Sequence, residues 1–214
     1  LGMYAPFTGL MYAIVASFFG VKSAYAFHLF SFIIHIVNLL LVYLIGCKLF
    51  KNTTKAVFLA LLFSIHPLAV EVVGWVSATS TLLFSLFFLS GMYFYIQYLE
   101  SHKRIFYIYT LVLFIFGCLS KIQIIPFVGV LFLLDILFKP GWLSRKGILE
   151  KTPFIIISFI FLAIALSFRQ NEKIVNASNY SNFYFSMNQI SWYLYKIFAP
   201  FSIGISYVWP KQLL

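Results

Sequence analysis

One short segment of the chain gathers side chains that could take part in group transfer. His66 precedes Pro67, and Glu71 lies four residues before Trp75, so Glu71 and Trp75 share a helical face just beyond the proline, with Ser77 following them. A carboxylate beside an imidazole can act as a general base or hold an acceptor hydroxyl. The alternative is a Glu that pins the loop through a cation or a helix cap. One His and one Glu are too few ligands for a metal site.

Lys121 is a second candidate, because its ammonium stands between two apolar runs of the sequence. A lone Lys provides a point charge that suits a phosphate group. The alternative is that Lys121 extends toward lipid head groups while its carbon chain stays in apolar surroundings. The sequence alone leaves both interpretations open.

Four polar side chains form one stripe along a predicted helix. His28, Ser31, His35 and Asn38 are separated by three, four and three residues, which places them on one face. Such a seam could line a substrate cavity. The alternative is ordinary hydrogen bonding between helices, worth about 0.6 kcal/mol on average in a membrane protein.

The elements that position these residues must be membrane helices. The chain is 63% hydrophobic and 9% charged, whereas soluble proteins have about 45–50% apolar and about 25% charged residues. Because a helix needs about 20 apolar residues to cross a bilayer, we predict an all-α, polytopic transmembrane helical bundle of about six or seven spans. It would form a single domain over residues 1–214. The predicted segments are a short leading helix over Phe7–Phe19, then Tyr25–Ile45, Ala56–Val73, Leu82–Tyr98, Ile105–Leu119, Ile122–Phe138, Phe154–Phe168 and Ile190–Tyr207.

The net charge of +10 indicates membrane topology rather than nucleic acid binding, because the basic residues are scattered singly between apolar runs. Every second loop is basic, and the positive-inside rule makes these loops cytoplasmic. They contain Lys48, Lys51, Lys55, Lys103, Arg104, Lys139, Arg145, Lys146 and Lys151. We therefore expect His66, Glu71 and Lys121 at the outer or luminal end, beside a long polar loop over Arg169–Gln189.

Two further patterns are interpreted as structural. Asp135 and Lys139 are four residues apart and are predicted to form an ordinary ion pair. Cys47 and Cys118 match no metal or redox spacing, so we interpret both as packing residues.

The order of several motifs is similar to that of a known glycosyltransferase family. It resembles the membrane domain of the transmembrane and TPR repeat-containing O-mannosyltransferases and their bacterial relatives, which belong to the GT-C class. The resemblance covers nearly the whole chain in the right order. The motifs that carry it are Tyr4-Ala5-Pro6-Phe7-Thr8, Phe27-His28-Leu29 with His35, His66-Pro67 with Glu71, Trp75 and Ser77, Leu119-Ser120-Lys121, Asp135, and the ending from Tyr193 through Pro200 to Tyr207.

The resemblance implies a hexosyltransferase that moves a sugar from a polyprenyl-phosphate carrier to a protein or glycan acceptor, with inversion, on the outer or luminal face. Lys121 would neutralise the lipid phosphate, and His66 and Glu71 would be the catalytic pair on the acceptor or sugar side. The cavity would be lined by Tyr4, His28, His35, Asn38, Trp75 and Ser77. Mannose is one candidate sugar, and the implied partners are membrane lipids, the lipid-linked sugar and the acceptor. No cofactor other than this donor is implied, and a bacterial inner membrane is favoured over the endoplasmic reticulum.

The chain departs from the family pattern at charged positions. Ala5 stands where the family usually has Arg, Thr79 and Thr81 where it often has Arg and an acid, and Ile122 where an acid is common. The principal catalytic carboxylate of the family would precede Leu1, and a TPR region would follow the membrane domain, so we expect a fragment. A second hypothesis is a non-catalytic membrane anchor or assembly scaffold with a degenerate GT-C fold. A small-molecule transporter that uses the polar seam as its pathway ranks third.

Overall fold

The computed structural model describes residues 5–138, 145–169 and 179–199, and this part of the chain contains ten α-helices. Short 3₁₀ turns over Val76–Ala78 and Ile122–Ile124 precede the fifth and the seventh helix. The helices are α1 Pro6–Phe19, α2 Ala24–Phe50, α3 Thr53–Ile65, α4 Pro67–Gly74, α5 Thr79–Ser101, α6 Arg104–Ser120, α7 Phe127–Phe138, α8 Arg145–Leu149, α9 Thr152–Arg169 and α10 Asn179–Phe198. The all-α prediction is confirmed.

Local sequence signals explain where several helices begin and end. Pro6 and Pro67 occupy the first turns of α1 and α4, where a missing N–H costs no helical hydrogen bond. Asn52 caps α3, because its side-chain oxygen accepts from the Lys55 amide at 3.0 Å. Lys51 adopts a left-handed backbone with φ 50°, which ends α2 and turns the chain into α3.

The described helices provide fewer membrane spans than the sequence predicts. Three segments, Ala24–Phe50, Val76–Ser101 and Gly147–Phe168, are long and apolar enough to cross a bilayer. The α3–α4 pair makes a fourth if its two parts, bent by 52° at the predicted proline break, are counted as one span. The prediction of six or seven was therefore too high for the described residues. At about 1.5 Å per residue, the 14 residues of α1 and the 17 of α6 fall short of a hydrocarbon core of about 30 Å.

The predicted outer loop over Arg169–Gln189 is also partly wrong. Helix α10 starts at Asn179, so the second half of that segment is helical. Its asparagine, glutamine and serine content keeps it below the hydropathy of a membrane span, although it is 20 residues long. The predicted last span Ile190–Tyr207 is described only as far as residue 199.

Aromatic and aliphatic side chains from α5, α6, α7 and α9 form the main core. Phe114, Phe127 and Phe154 meet there with ring centroids 5.5–6.5 Å apart. A smaller cluster of Ile34, Leu82 and Leu83 joins α2 to α5. Together the two clusters hold α5 at the centre of the described bundle.

The bundle has two chemically distinct ends. At one end, where α2 and α5 finish, Lys48 Nζ pairs with Glu100 Oε2 at 2.5 Å. At the other, where α5 begins and α6 ends, Lys121 meets Thr81. The chain traverses the bundle between them, so α4, which follows α3 away from Asn52, lies toward the Lys121 end.

A buried ion pair joins α7 to the start of α9. Asp135 and Lys151 are 1% and 0% exposed, and each also bonds to the Tyr95 hydroxyl. The predicted partner of Asp135, Lys139, lies outside the described residues. The partner that the structure gives Asp135 is Lys151, which is 16 positions away and could not be inferred from helical spacing.

Candidate functional site

Lys121 sits at the break between α6 and the 3₁₀ turn that leads to α7. Its backbone is extended, with φ −164°, and its amide bonds back to the Gly117 carbonyl at 2.8 Å. The ammonium donates to the Thr81 hydroxyl at 2.8 Å. Burial lowers the pKa of the Lys121 ammonium, because desolvation penalises its charged form. An anion near this ammonium would offset that penalty.

A glycine one helical turn earlier leaves room for the turn that presents Lys121. A Cβ atom at Gly117 would lie only 2.0 Å from Ile124 Cδ1, and Ile124 is fully buried. Without a side chain at Gly117, Ile124 can fold back against α6. This tight packing allows the chain to leave α6 sharply at Lys121.

Helix α1 braces the same end of the bundle. The Thr8 hydroxyl donates to the Ser120 carbonyl at 3.2 Å, directly before Lys121. The Tyr12 hydroxyl donates to the Val76 carbonyl at 2.5 Å, in the turn before α5. These two bonds tie the Lys121 break and the start of α5 to one helix.

The hydroxyls at the start of α5 occupy positions where the sequence departs from the resembled family. Thr79 is buried, lies 3.0 Å from the Ser31 hydroxyl and donates to the Val76 carbonyl at 2.7 Å. Thr81 is the partner of Lys121. Both hydroxyls are integrated into the local hydrogen bonding.

His66 lies between α3 and α4, caps the start of α4 and contacts α10. Its Nδ1 accepts from the Leu68 amide at 3.3 Å at the start of α4, and its Nε2 lies 3.1 Å from the Ile197 carbonyl in α10. A carbonyl only accepts, so this arrangement fits the neutral tautomer that carries its proton on Nε2. Both ring nitrogens are then engaged, which leaves no free lone pair for proton abstraction in this conformation.

Glu71, Trp75 and Ser77 lie around the same end. Glu71 is half-buried on α4, whereas Trp75 and Ser77 are exposed in the connection to α5. Among the described carboxylates, Glu71 is the one toward the Lys121 end, since the others lie at Glu100, Asp135 and Glu150. Within the described residues, Glu71 forms no ion pair with Lys121.

Three of the four residues of the predicted polar seam are buried, and one is exposed. Ser31, His35 and Asn38 are buried on one face of α2, and the His35 ring stacks on Phe63 of α3. His28 is exposed near the start of α2, although helical spacing places it on the same face. The remaining predicted lining residue, Tyr4, lies outside the described residues.

Sequence analysis missed the groups that complete this end. Thr8, Tyr12 and Thr81 contribute through contacts that span 40 to 112 positions. Thr8 and Thr81 were noticed only as motif positions. One signal was available in the sequence. These hydroxyl side chains lie in apolar segments, where a hydroxyl without a hydrogen-bond partner is unfavourable, so each is expected to have a partner.

The groups at this end of the bundle are of the types that pair with an anion. In the described part of the bundle, this end offers the half-buried ammonium of Lys121, neighbouring hydroxyls and the carboxylate of Glu71 on α4. A phosphate ester could accept from Lys121 and Thr81, and Glu71 could accept a proton from a hydroxyl nucleophile.

Comparison with known proteins identifies a family for this chain. A family model described as dolichyl-phosphate-mannose-protein mannosyltransferase matches residues 4–168, which include α1 to α8 and nearly all of α9. Comparisons with curated proteins and with solved structures found no match. The family match confirms the mannosyltransferase resemblance, and with the apolar helices it makes the chain an integral membrane protein. The chain belongs to the dolichyl-phosphate-mannose-protein mannosyltransferase family.

Proposed function

We propose that this chain is the membrane domain of a GT-C glycosyltransferase that takes a sugar from a polyprenyl-phosphate donor, with Lys121 as the donor-phosphate site. The observation that carries the proposal is the environment of the Lys121 ammonium. It is half-buried beside apolar helices and bonds to a neutral hydroxyl, and within the described residues no carboxylate pairs with it. A desolvated cation held next to a hydroxyl donor suits a phosphate better than it suits water.

The membrane location supports a lipid-linked donor over a soluble one. Lys121 lies between two apolar helices, so a phosphate attached to a lipid chain reaches it with that chain against apolar surface. The family description names dolichyl-phosphate-mannose, which makes mannose the first sugar to test. A protein or glycan hydroxyl is the acceptor.

The distribution of charge supports an outward or luminal site. The basic loops that follow α2 and α5 lie at the Lys48–Glu100 end, opposite Lys121. If the positive-inside rule holds for this chain, the Lys121 end faces away from the cytoplasm. A bacterial inner membrane is the first host to test, with the endoplasmic reticulum as the alternative.

The transfer reaction is tested with labelled mannose on dolichyl phosphate, in membranes that contain the full-length protein. We expect Glu71→Gln to lower transfer by about 10²-fold or more, since general-base catalysis typically contributes about 10²- to 10⁴-fold. Glu100→Gln, at the opposite end, is the matched control and should leave transfer unchanged. Equal activity of the two variants would exclude Glu71 as the base.

His66 is proposed to act by positioning α4, on which Glu71 is carried. His66→Asn retains a side-chain oxygen that can cap α4, whereas His66→Ala does not. We expect His66→Asn to keep most of the transfer activity and His66→Ala to lose stability by about 0.5–2 kcal/mol. If His66→Asn lost activity as completely as His66→Ala while remaining folded, His66 would be a catalytic residue instead.

A scaffold without catalysis is the second candidate. The replacement of charged family positions by Thr79 and Thr81, both hydrogen-bonded to neighbouring groups, favours it. A full-length protein that binds no polyprenyl phosphate and transfers no sugar from any lipid-linked donor would place this candidate first.

A further inference from the structure

Two buried polar atoms on α2 lack hydrogen-bond partners within the described residues. They are His35 Nδ1 and Asn38 Oδ1, on side chains that are 7% and 0% exposed. They lie near the middle of α2, the longest of the three single-helix membrane spans. An unpaired polar atom at such a depth costs several kcal/mol in a bilayer, where no bulk water is present.

The orientation of Asn38 is fixed by its other bond. Its amide nitrogen donates to the Leu82 carbonyl at 3.1 Å. A carbonyl cannot donate, so the nitrogen must face Leu82 and the unpaired atom must be the oxygen. Rotating the Asn38 amide by half a turn would place its oxygen against the Leu82 carbonyl, so both the amide oxygen and the amide nitrogen would then lack a partner.

His35 supplies a second group of matching chemistry. It precedes Asn38 by three residues on the same helix, so the two side chains are neighbours about 5–6 Å apart at Cβ. Its ring is held by stacking on Phe63, with centroids 5.7 Å apart. In the tautomer with a proton on Nδ1, His35 offers a donor and Asn38 an acceptor on the same face of α2.

We propose that His35 and Asn38 form a buried site for one hydroxyl group between α2, α3 and α5. The hydroxyl donates to Asn38 Oδ1 and accepts from His35 Nδ1–H, and each of its polar atoms is thereby paired. Water and a membrane-soluble alcohol share this chemistry. The site uses neither Lys121 nor Glu71, although Leu82, which Asn38 contacts, directly follows Thr81, the partner of Lys121.

The proposal predicts that substituting either side chain removes the same bound hydroxyl group. The full-length protein is compared with Asn38→Leu, His35→Phe and the double variant by SDS titration in mixed micelles. Single interhelical bonds in membrane proteins correspond to about 3- to 18-fold in the unfolding equilibrium constant. Each single substitution should raise that constant within this range, and the double variant should raise it by less than the product of the two.

Ring NMR of ¹⁵N-labelled His35 provides a measurement that a merely structural role would not change. A cross-peak from Nδ1–H to a hydroxyl proton is expected, and it should vanish in Asn38→Leu. If it persists in delipidated protein, the ligand is water; if it returns only after 1-dodecanol is added, the ligand is an alcohol. Independent effects of the two substitutions, or a His35 signal without a hydroxyl cross-peak under either condition, would overturn the proposal.

Discussion

Asp135→Asn is expected to destabilise the protein more than any other single substitution considered for this chain. It leaves the Lys151 ammonium, which is fully buried, without its carboxylate. Removing one partner of a buried ion pair typically costs about 3–5 kcal/mol, a large part of a total stability of about 5–15 kcal/mol. We expect low expression of the folded variant and unfolding at a markedly lower SDS fraction.

The exposed pair Lys48–Glu100 provides the matched control. Its side chains are 29% and 38% exposed, so Glu100→Gln should cost no more than about 1 kcal/mol. The combination Asp135→Leu with Lys151→Met should recover much of the loss, because it removes both charges together. If Asp135→Asn were no more harmful than Glu100→Gln, the buried pair would not be an important contributor to stability.

Lys121→Ala is expected to lower transfer strongly without a comparable loss of stability. A hydrogen bond to a charged group contributes about 1.5–3 kcal/mol, so kcat/KM should fall by roughly 10- to 150-fold. Lys121→Arg should retain part of the activity, because it keeps the charge but changes the donor geometry. The measurement is transfer of labelled mannose from dolichyl phosphate in membranes with matched protein levels.

Lys22 is the control cation for this experiment. It is exposed in the turn between α1 and α2, so Lys22→Ala removes one positive charge without disturbing the Thr81 contact. Its transfer rate should match that of the unaltered protein. A similar loss in Lys22→Ala and Lys121→Ala would indicate a general surface-charge effect rather than a phosphate site.

Composition and periodicity predicted the type of each main element. The apolar runs became α2, α5 and α9, and Pro67 bends the chain where the sequence indicated. The number of spans was overestimated because apolar content does not reveal helix length. In α6, for example, Lys121 ends the helix after 17 residues.

The candidate site could be predicted only in part, because its hydrogen bonds join distant positions. Lys121 was recognisable as a lone cation between apolar runs, but its partner Thr81 lies 40 positions earlier. The sequence suggested His66 as a partner of Glu71 in a catalytic pair, whereas its contacts with Leu68 and Ile197 depend on how α4 and α10 pack. His28 follows the spacing of the seam, yet it lies near the start of α2 and is exposed.

Binding of polyprenyl phosphate, compared with the polyprenol that lacks the phosphate, tests the central claim most directly. It is measured on the purified full-length protein and on Lys121→Ala, with no transfer step required. We predict that the unaltered protein binds the phosphate at least 10-fold more tightly than the alcohol, by about 1.4 kcal/mol or more, and that Lys121→Ala loses this preference. Equal affinity for the two lipids, or a phosphate preference that survives Lys121→Ala, would contradict the assignment of Lys121 as the donor-phosphate site.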